Sequence, residues 1–218
     1  MGRIELLSKD KLIRLSSGVL STVKTYDEWK DYDSDLVEIM EYKGHSLMAK
    51  HLLPYIKDGC NILDVGCGTG LNGVFYKAKK NCVITGIDIS GESLKRASAK
   101  KINGRKVYCQ LKQVNLGDKL NFEDKSFDVV LCVGVFEYFK KIETVVGEMS
   151  RVSKDIVAFN VPTTKPPYLN QHSRREVMKI LDKFNLELLD EFRAHTWTTI
   201  YGKGKKRIFA RGVISKHQ

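Results

Sequence analysis

The stretch Asn61-Ile62-Leu63-Asp64-Val65-Gly66-Cys67-Gly68-Thr69-Gly70 decides how this chain folds. Ile62, Leu63 and Val65 form a short apolar run, the pattern of a strand covered on both faces. Glycines then recur at every second position, and beyond them Leu71, Val74, Phe75 and Ala78 fall on one helical face. The glycines therefore occupy a strand-to-helix turn. Glycine tolerates so tight a turn and lets the backbone approach a ligand closely. The first turn of the following helix also leaves free N–H groups aimed over the strand end.

The spacing of those glycines discriminates between ligands. A dinucleotide-binding turn needs Gly-x-Gly-x-x-Gly, and here Leu71 stands where the last of those glycines belongs. Asp64 precedes the turn, where a carboxylate repels a pyrophosphate but can orient an ammonium group. Downstream, Val83-Ile84-Thr85-Gly86-Ile87-Asp88 reads as a second buried strand ending in an acid, placed to hold a ribose diol through two hydrogen bonds. These features describe a ligand with a ribose, an adjacent cationic part and no diphosphate. S-adenosylmethionine fits that description.

Working outward, the pattern alternates between strand and helix. Ser90 is an N-cap with Glu92 in the first turn, Leu94 and Ala97 face inward, and Asn103-Gly104 is read as the helix end. Val107, Cys109 and Leu111 alternate as a third strand, and residues 127–134 form a fourth, buried one. Ile142, Val145, Met149 and Val152 mark a helix, and Ile156 to Phe159 a fifth strand. Residues 161–167 hold three of the four prolines and read as an extended loop at that strand's end. Ser173-Arg174-Arg175-Glu176 is a capping box opening a last helix. Two strands follow, about 186–198 and 207–215, joined by Gly202-Lys203-Gly204-Lys205-Lys206 as a hairpin.

Upstream, residues 1–25 read as an N-terminal arm or weak helix, and 26–218 as one domain, in which 26–58 form lid helices. Within them, Tyr26-Asp27-Glu28-Trp29-Lys30-Asp31-Tyr32-Asp33 sets three aromatics among acids, as in a helix start with surface aromatics or a lid closing over a ligand. Leu36, Val37 and Met40 mark a first helical face, and Met48, Leu52 and Tyr55 a second.

At 218 residues and 42% hydrophobic, the chain suits one packed α/β domain and not a disordered segment. No apolar run approaches the roughly 20 residues needed to span a bilayer, and the N-terminus lacks the apolar block of a signal peptide. The five scattered cysteines, Cys60, Cys67, Cys82, Cys109 and Cys132, show no metal-type spacing and read as buried, reduced thiols. A cytoplasmic protein without membrane attachment or metal is expected. The net charge of +11 raises a polyanionic partner such as nucleic acid. The lysines are spread along the chain, however, and no basic–aromatic interleaving is present, so this partner is not favoured.

Alternating βα units closed by a hairpin, with Gly-x-Gly-x-Gly after the first strand, resemble the class I S-adenosylmethionine-dependent methyltransferases. Ile62 to Gly70 is similar to their first motif, Gly86-Ile87-Asp88-Ile89-Ser90 to their second, and Glu148-Met149-Ser150-Arg151-Val152 to that of their fifth helix. His172 to Glu176 resembles the family's usual helix before the terminal hairpin. Tyr26-Asp27-x-Trp29-x-x-Tyr32-Asp33 and Asn115-Leu116-Gly117 resemble, more narrowly, the methyltransferase-like proteins related to the Williams–Beuren-region protein.

The resemblance implies a Rossmann-like, doubly wound α/β fold of seven strands, mostly parallel, with a C-terminal antiparallel hairpin. It also implies S-adenosylmethionine as cofactor and a small-molecule acceptor. The cofactor-binding set it suggests is Tyr32, Asp64, Gly66, Cys67, Gly68, Gly70, Asp88, Ile89, Asn115, Leu116 and Val133. In it, Asp64 and the backbone of Gly66 and Gly68 would hold the methionine end, Asp88 the ribose and Ile89 the adenine. Leu116 departs from the aspartate many relatives carry there.

The protein's main task would be to align an acceptor behind the methyl group and exclude water. A general base is needed only for an acceptor that keeps its proton, and the candidates are Glu137, Tyr138 and His172, with Tyr32 beside them. The alternatives are an RNA or protein methyltransferase docking through the basic hairpin, or a catalytically silent cofactor-binding subunit.

Overall fold

The computed structural model describes residues 19–164, 170–201 and 204–218. Seven strands form one sheet: β1 Asn61–Val65, β2 Val83–Asp88, β3 Gln110–Gln113, β4 Phe127–Cys132, β5 Ser153–Pro162, β6 Leu186–Tyr201 and β7 Gly204–His217. Their order is β3-β2-β1-β4-β5-β7-β6. The first five run parallel, and β7 pairs antiparallel with both β5 and β6. This is the expected Rossmann-like sheet. Its strand order reverses between β1 and β4, which opens a crevice over their C-terminal ends.

Strand alternation divides the core into two halves. Leu63 and Val65 of β1, Val130 and Cys132 of β4, and Val157 and Phe159 of β5 point to one face. There α5 (Glu143–Val152) and α6 (Arg174–Lys183) cover them with Val145, Met149, Val177 and Leu181. Ile62, Ile84, Val129, Leu131 and Ala158 point to the other. That face is covered by α2 (Gly44–Leu52), α3 (Leu71–Lys79) and α4 (Gly91–Ala99).

Several local expectations are met by specific bonds. Ser90 caps α4 by accepting from the Ser93 N–H at 2.9 Å, and Ser173 caps α6 by accepting from the Glu176 N–H at 3.1 Å. In the fifth-helix motif, Arg151 donates to both oxygens of Glu148 and to the carbonyls of Leu120 and Phe122. That motif therefore ties the loop before β4 to α5.

Several expectations need correction, among them Tyr55 and Ala78, which are exposed, while α3 buries Asn72, Gly73 and Tyr76. Asn103-Gly104 does not end α4, which stops at Ala99. Both residues have positive φ and turn a two-stranded ribbon, Lys101–Ile102 with Arg105–Lys106, as Asn-Gly hairpins do. The third strand starts at Gln110, and Tyr108, not Cys109, turns inward, so Cys109 is exposed while the other four thiols are buried. Val37 is exposed, because residues Asp35–Ile39 form a π-helical turn that shifts the expected face. Finally, residues 26–58 are not all lid. Met48 and Leu52 of α2 are fully buried against Ile62 and Ile84, which makes α2 a core helix.

What remains of the N-terminal part lies across the strand ends. It comprises α1 (Val19–Glu28), the turn Tyr32–Ser34 and the π-helical turn. Trp29, Leu36 and Met40 pack there with Ile208, beside Tyr32, Tyr42, Leu71 and Tyr138. The arm residues 1–18, residues 165–167 of the proline-rich loop and the hairpin tip at 202–203 lie outside the described residues.

Candidate active site

The glycine turn has the geometry its spacing anticipates. Gly66, Gly68 and Gly70 have φ of 70°, 52° and 88°, a left-handed conformation that side chains resist. A Cβ at Gly66 would lie 2.4 Å from the Val135 side chain, so the turn abuts the end of β4. A Cβ at Gly68 would meet nothing within 4 Å, so open space lies over this residue.

Asp88 borders that space at the end of β2. One carboxylate oxygen accepts the Gly68 N–H at 2.8 Å and the other the Ser90 N–H at 2.9 Å. Each oxygen keeps a further lone pair, so the group can accept two more hydrogen bonds. Burial raises its pKa from the ordinary carboxylate value, and the N–H groups of Ser90 and Gly68 oppose that shift. Turn and acid together fit a ribose beside a close-packed backbone.

Other members of the expected cofactor set divide by position. Ile89 and Val133 are half-buried at their strand ends, and Asn115 is exposed, its Oδ1 accepting the Gly117 N–H in a local turn. The Cys67 side chain packs into the core near Gly86, which leaves only its backbone at the turn. Burial raises that thiol's pKa. Leu116 also belongs to the core, which is why a leucine can stand there.

Asp64 differs most from expectation. It is 1% exposed, accepts from Asn72 at 3.0 Å and from the Tyr108 hydroxyl at 2.7 Å, and thus holds the turn from below. Strand alternation explains this, since Asp64 shares the face of Ile62, the one that α3 covers. Burial lifts its pKa to about 6 against the pull of its two donors. Tyr108 is a supporting residue that sequence reading missed. Its signal, an aromatic next to an expected inward cysteine, pointed to the wrong neighbour.

Across the crevice stand the expected catalytic candidates, in the 3₁₀ turn Phe136–Tyr138 after β4. Glu137 is buried, and burial pushes its pKa up to about 7, against its own N–H and His172. Tyr138 is hydrogen-bonded to the Tyr26 hydroxyl at 2.6 Å. His172 reaches this turn through the turn's backbone: Nε2 donates to the Phe136 carbonyl at 3.1 Å, and Nδ1 faces Glu176 at 3.1 Å. With both ring nitrogens engaged, His172 anchors the turn and does not face an acceptor. Asn170 adds two bonds to the Glu137 carbonyl, at 2.8 and 3.0 Å.

The cover is tied down on the side of β2. Asp33 accepts from the Thr69 hydroxyl in the glycine turn and pairs with Lys100 at 2.6 Å. Asp27 accepts from the Ser90 hydroxyl at 2.6 Å, and Arg96 donates to the Trp29 carbonyl at 2.6 Å. Tyr32 sits between Tyr26 and Trp29, with ring centroids 5.3 and 5.2 Å away. Among the described residues no cluster of histidine, cysteine or acidic side chains could hold a metal.

Comparison with known proteins agrees with this geometry. Residues 63–156 match the family described as "Methyltransferase domain". The chain is 33% identical over 124 residues to a probable (S)-tetrahydroprotoberberine N-methyltransferase 2 of Papaver bracteatum, a match covering 55% of this chain and 32% of that protein. It is 32% identical over 132 residues to a phosphatidylethanolamine N-methyltransferase of Cereibacter sphaeroides, covering 60% and 62%. The chain thus spans less than two thirds of the length of these curated relatives. The crystal structure of magnesium protoporphyrin IX methyltransferase from Synechocystis PCC 6803, with bound S-adenosylmethionine, shares the fold at a TM-score of 0.60 and 15% identity. That likeness covers 99% of this chain and 95% of that one.

Proposed function

We propose that this chain, whose residues 63–156 are a methyltransferase domain, is an S-adenosylmethionine-dependent methyltransferase acting on a small molecule. One observation carries the reading: the left-handed glycine turn leaves open space over Gly68, beside a carboxylate that already receives the Gly68 N–H. The glycine backbone holds the methionine end of the cofactor, Asp88 the ribose hydroxyls, and Ile89, Asn115 and Val133 line the adenine side. When bound, the cofactor supplies an electrophilic methyl group.

The chain's own part is alignment and exclusion of water. An acceptor over β4 and β5 lies next to Glu137 and Tyr138, and the aromatic cover closes the crevice. The small-molecule reading is supported by the relatives, which include N-methyltransferases named for an alkaloid and a phospholipid. The tyrosine-lined crevice suits it as well. The narrower likeness to the Williams–Beuren-related proteins rests on the cover motif alone. Five unpaired thiols suit a reducing, cytoplasmic setting, and no described helix is long and apolar enough to cross a membrane.

Calorimetry should show binding of S-adenosylhomocysteine and none of NAD. Asp88→Ala should weaken that binding by about 1.5–3 kcal/mol per lost hydroxyl bond. Labelled methyl groups should reach a metabolite pool and not tRNA or peptide pools. Tight NAD binding with no S-adenosylhomocysteine binding overturns the assignment.

A further inference from the structure

The proposed function uses the acid at the end of β2 and places an acceptor beside Glu137, just beyond β4, without giving that carboxylate a chemical role. Glu137 is 7% exposed there, among tyrosines drawn from separate parts of the chain. The rings of Tyr26 and Tyr32 meet at 72° with centroids 5.3 Å apart, and those of Tyr26 and Tyr138 at 79° and 6.3 Å. Rings meeting edge-on near a right angle stand as adjacent walls and do not stack. The hydroxyls of Tyr26 and Tyr138 bond to each other at 2.6 Å, so their polar atoms satisfy one another. Tyr42 stands behind them, beside Gly134 and Asn160.

The charge around this chamber is also one-sided. On a chain of net charge +11, the groups around the strand ends are the acids Asp27, Asp33, Asp88 and Glu137. Among the described residues, two basic side chains that reach the cover from α4 and its end are engaged, Lys100 by Asp33 and Arg96 by the Trp29 carbonyl. The titratable groups within electrostatic reach of Glu137 are Tyr26 from α1, Tyr32 from the cover, Tyr42 behind it, Tyr138 from its own turn and His172 just before α6. Each of the four phenols is kept neutral first by burial, with the Glu137 charge opposing ionisation as well. A carboxylate or phosphate acceptor would meet Glu137 as a like charge in a water-poor site. A cation would meet both a counter-ion and ring faces of negative quadrupole.

We propose that the methyl acceptor is a cationic amine, held against Tyr26, Tyr32 and Tyr138 and paired with Glu137, which takes its proton. This rests on the methyltransferase reading above. The Glu137 carboxylate removes one N–H proton from the ammonium. The freed nitrogen lone pair then forms the N–C bond as the methyl carbon's bond to sulfur breaks, that bond's electron pair remaining on sulfur. The product leaves as the methylated ammonium, and the proton on Glu137 passes to solvent, so one proton is released per turnover.

The test pairs choline with its neutral isostere 3,3-dimethyl-1-butanol in calorimetry, with and without saturating S-adenosylhomocysteine. Choline should bind about tenfold more tightly than the isostere. Glu137→Gln and Tyr138→Leu should each reduce that preference, while Glu137→Gln keeps its affinity for S-adenosylhomocysteine and a cooperative thermal melt no lower than the wild type's. In turnover, labelled methyl should enter primary and secondary amines in preference to phenols and carboxylates. Equal binding of choline and the isostere, binding of neither, or methylation only of oxygen or carbon overturns the proposal. Absence of S-adenosylhomocysteine binding sinks the methyltransferase reading instead, and the choline comparison without it still decides the chamber.

Discussion

Glu137 and Asp64 show how far burial reshapes a carboxylate. Glu137 rises from an ordinary 4.5 to about 7 and Asp64 from 3.8 to about 6, in both cases chiefly by desolvation. Both folded values lie above the unfolded ones, so between those limits the native state binds more protons than the unfolded chain. Stability from these groups is full below the unfolded pKa and is lost as pH rises through the folded pKa. For Glu137 the whole span is worth about 3 kcal/mol, at ~1.36 kcal/mol per pH unit. Urea midpoints should therefore fall between pH 4.5 and 7.5, and Glu137→Gln should flatten most of that fall. A variant with the wild-type slope would show that Glu137 ionises freely in the fold. Of the two acids beside the glycine turn, Asp88 and Asp64, the place of Asp88 was readable from its position at a strand end. That of Asp64 was not, because the partners that turn it inward, Asn72 and Tyr108, lie 8 and 44 residues away.

The cover over the strand ends belongs to the scale of elements. Asp27 and Asp33 hold it on the β2 side, and Tyr26 meets Tyr138 on the β4 side. It thus spans the crevice, packed through the small apolar cluster of Trp29, Leu36 and Met40 and apart from the two main cores. Local segments held by a handful of polar contacts open at low free energy. Residues 20–35 should gain amide-exchange protection when S-adenosylhomocysteine is added. Tyr32→Ala should lower turnover more than thermal stability. Identical exchange with and without ligand would mean that the aromatics are ordinary packing. The sequence marked this segment through aromatics set among acids, yet it extended the lid as far as residue 58. The difference lies in Met48 and Leu52, whose helical spacing is the same whether the face they meet is a ligand or a sheet.

Over the whole molecule, charge is the open functional feature. Acids gather at the strand ends while lysines dominate the exterior, and Arg207, at the foot of the β6–β7 hairpin, is exposed. Neutralising Lys203, Lys205, Lys206 and Arg207 together should leave small-molecule methylation unchanged. Filter binding to tRNA that is lost in this variant, and that weakens steeply with salt, would instead favour an RNA acceptor.

What the sequence determined by itself was the fold class and the glycine turn with the acid beside it. Buried parallel strands read as apolar runs, and a glycine turn with an acid one strand away obeys local rules of backbone conformation and strand direction. Those signals lie within about thirty residues of one another and need no tertiary knowledge. That Tyr32 and Tyr138, each singled out in the sequence, lie together with Tyr26 and Tyr42 was decided only by tertiary structure. Tyr26, Tyr32 and Tyr42 precede the sheet, and Tyr138 and Glu137 follow its fourth strand. They share one chamber only because the reversal of strand order at β1 and β4 leaves a crevice that the N-terminal segment crosses. Contacts across about a hundred residues leave no periodicity in a single chain. The chamber therefore depends on packing, where the glycine turn depends on local backbone geometry.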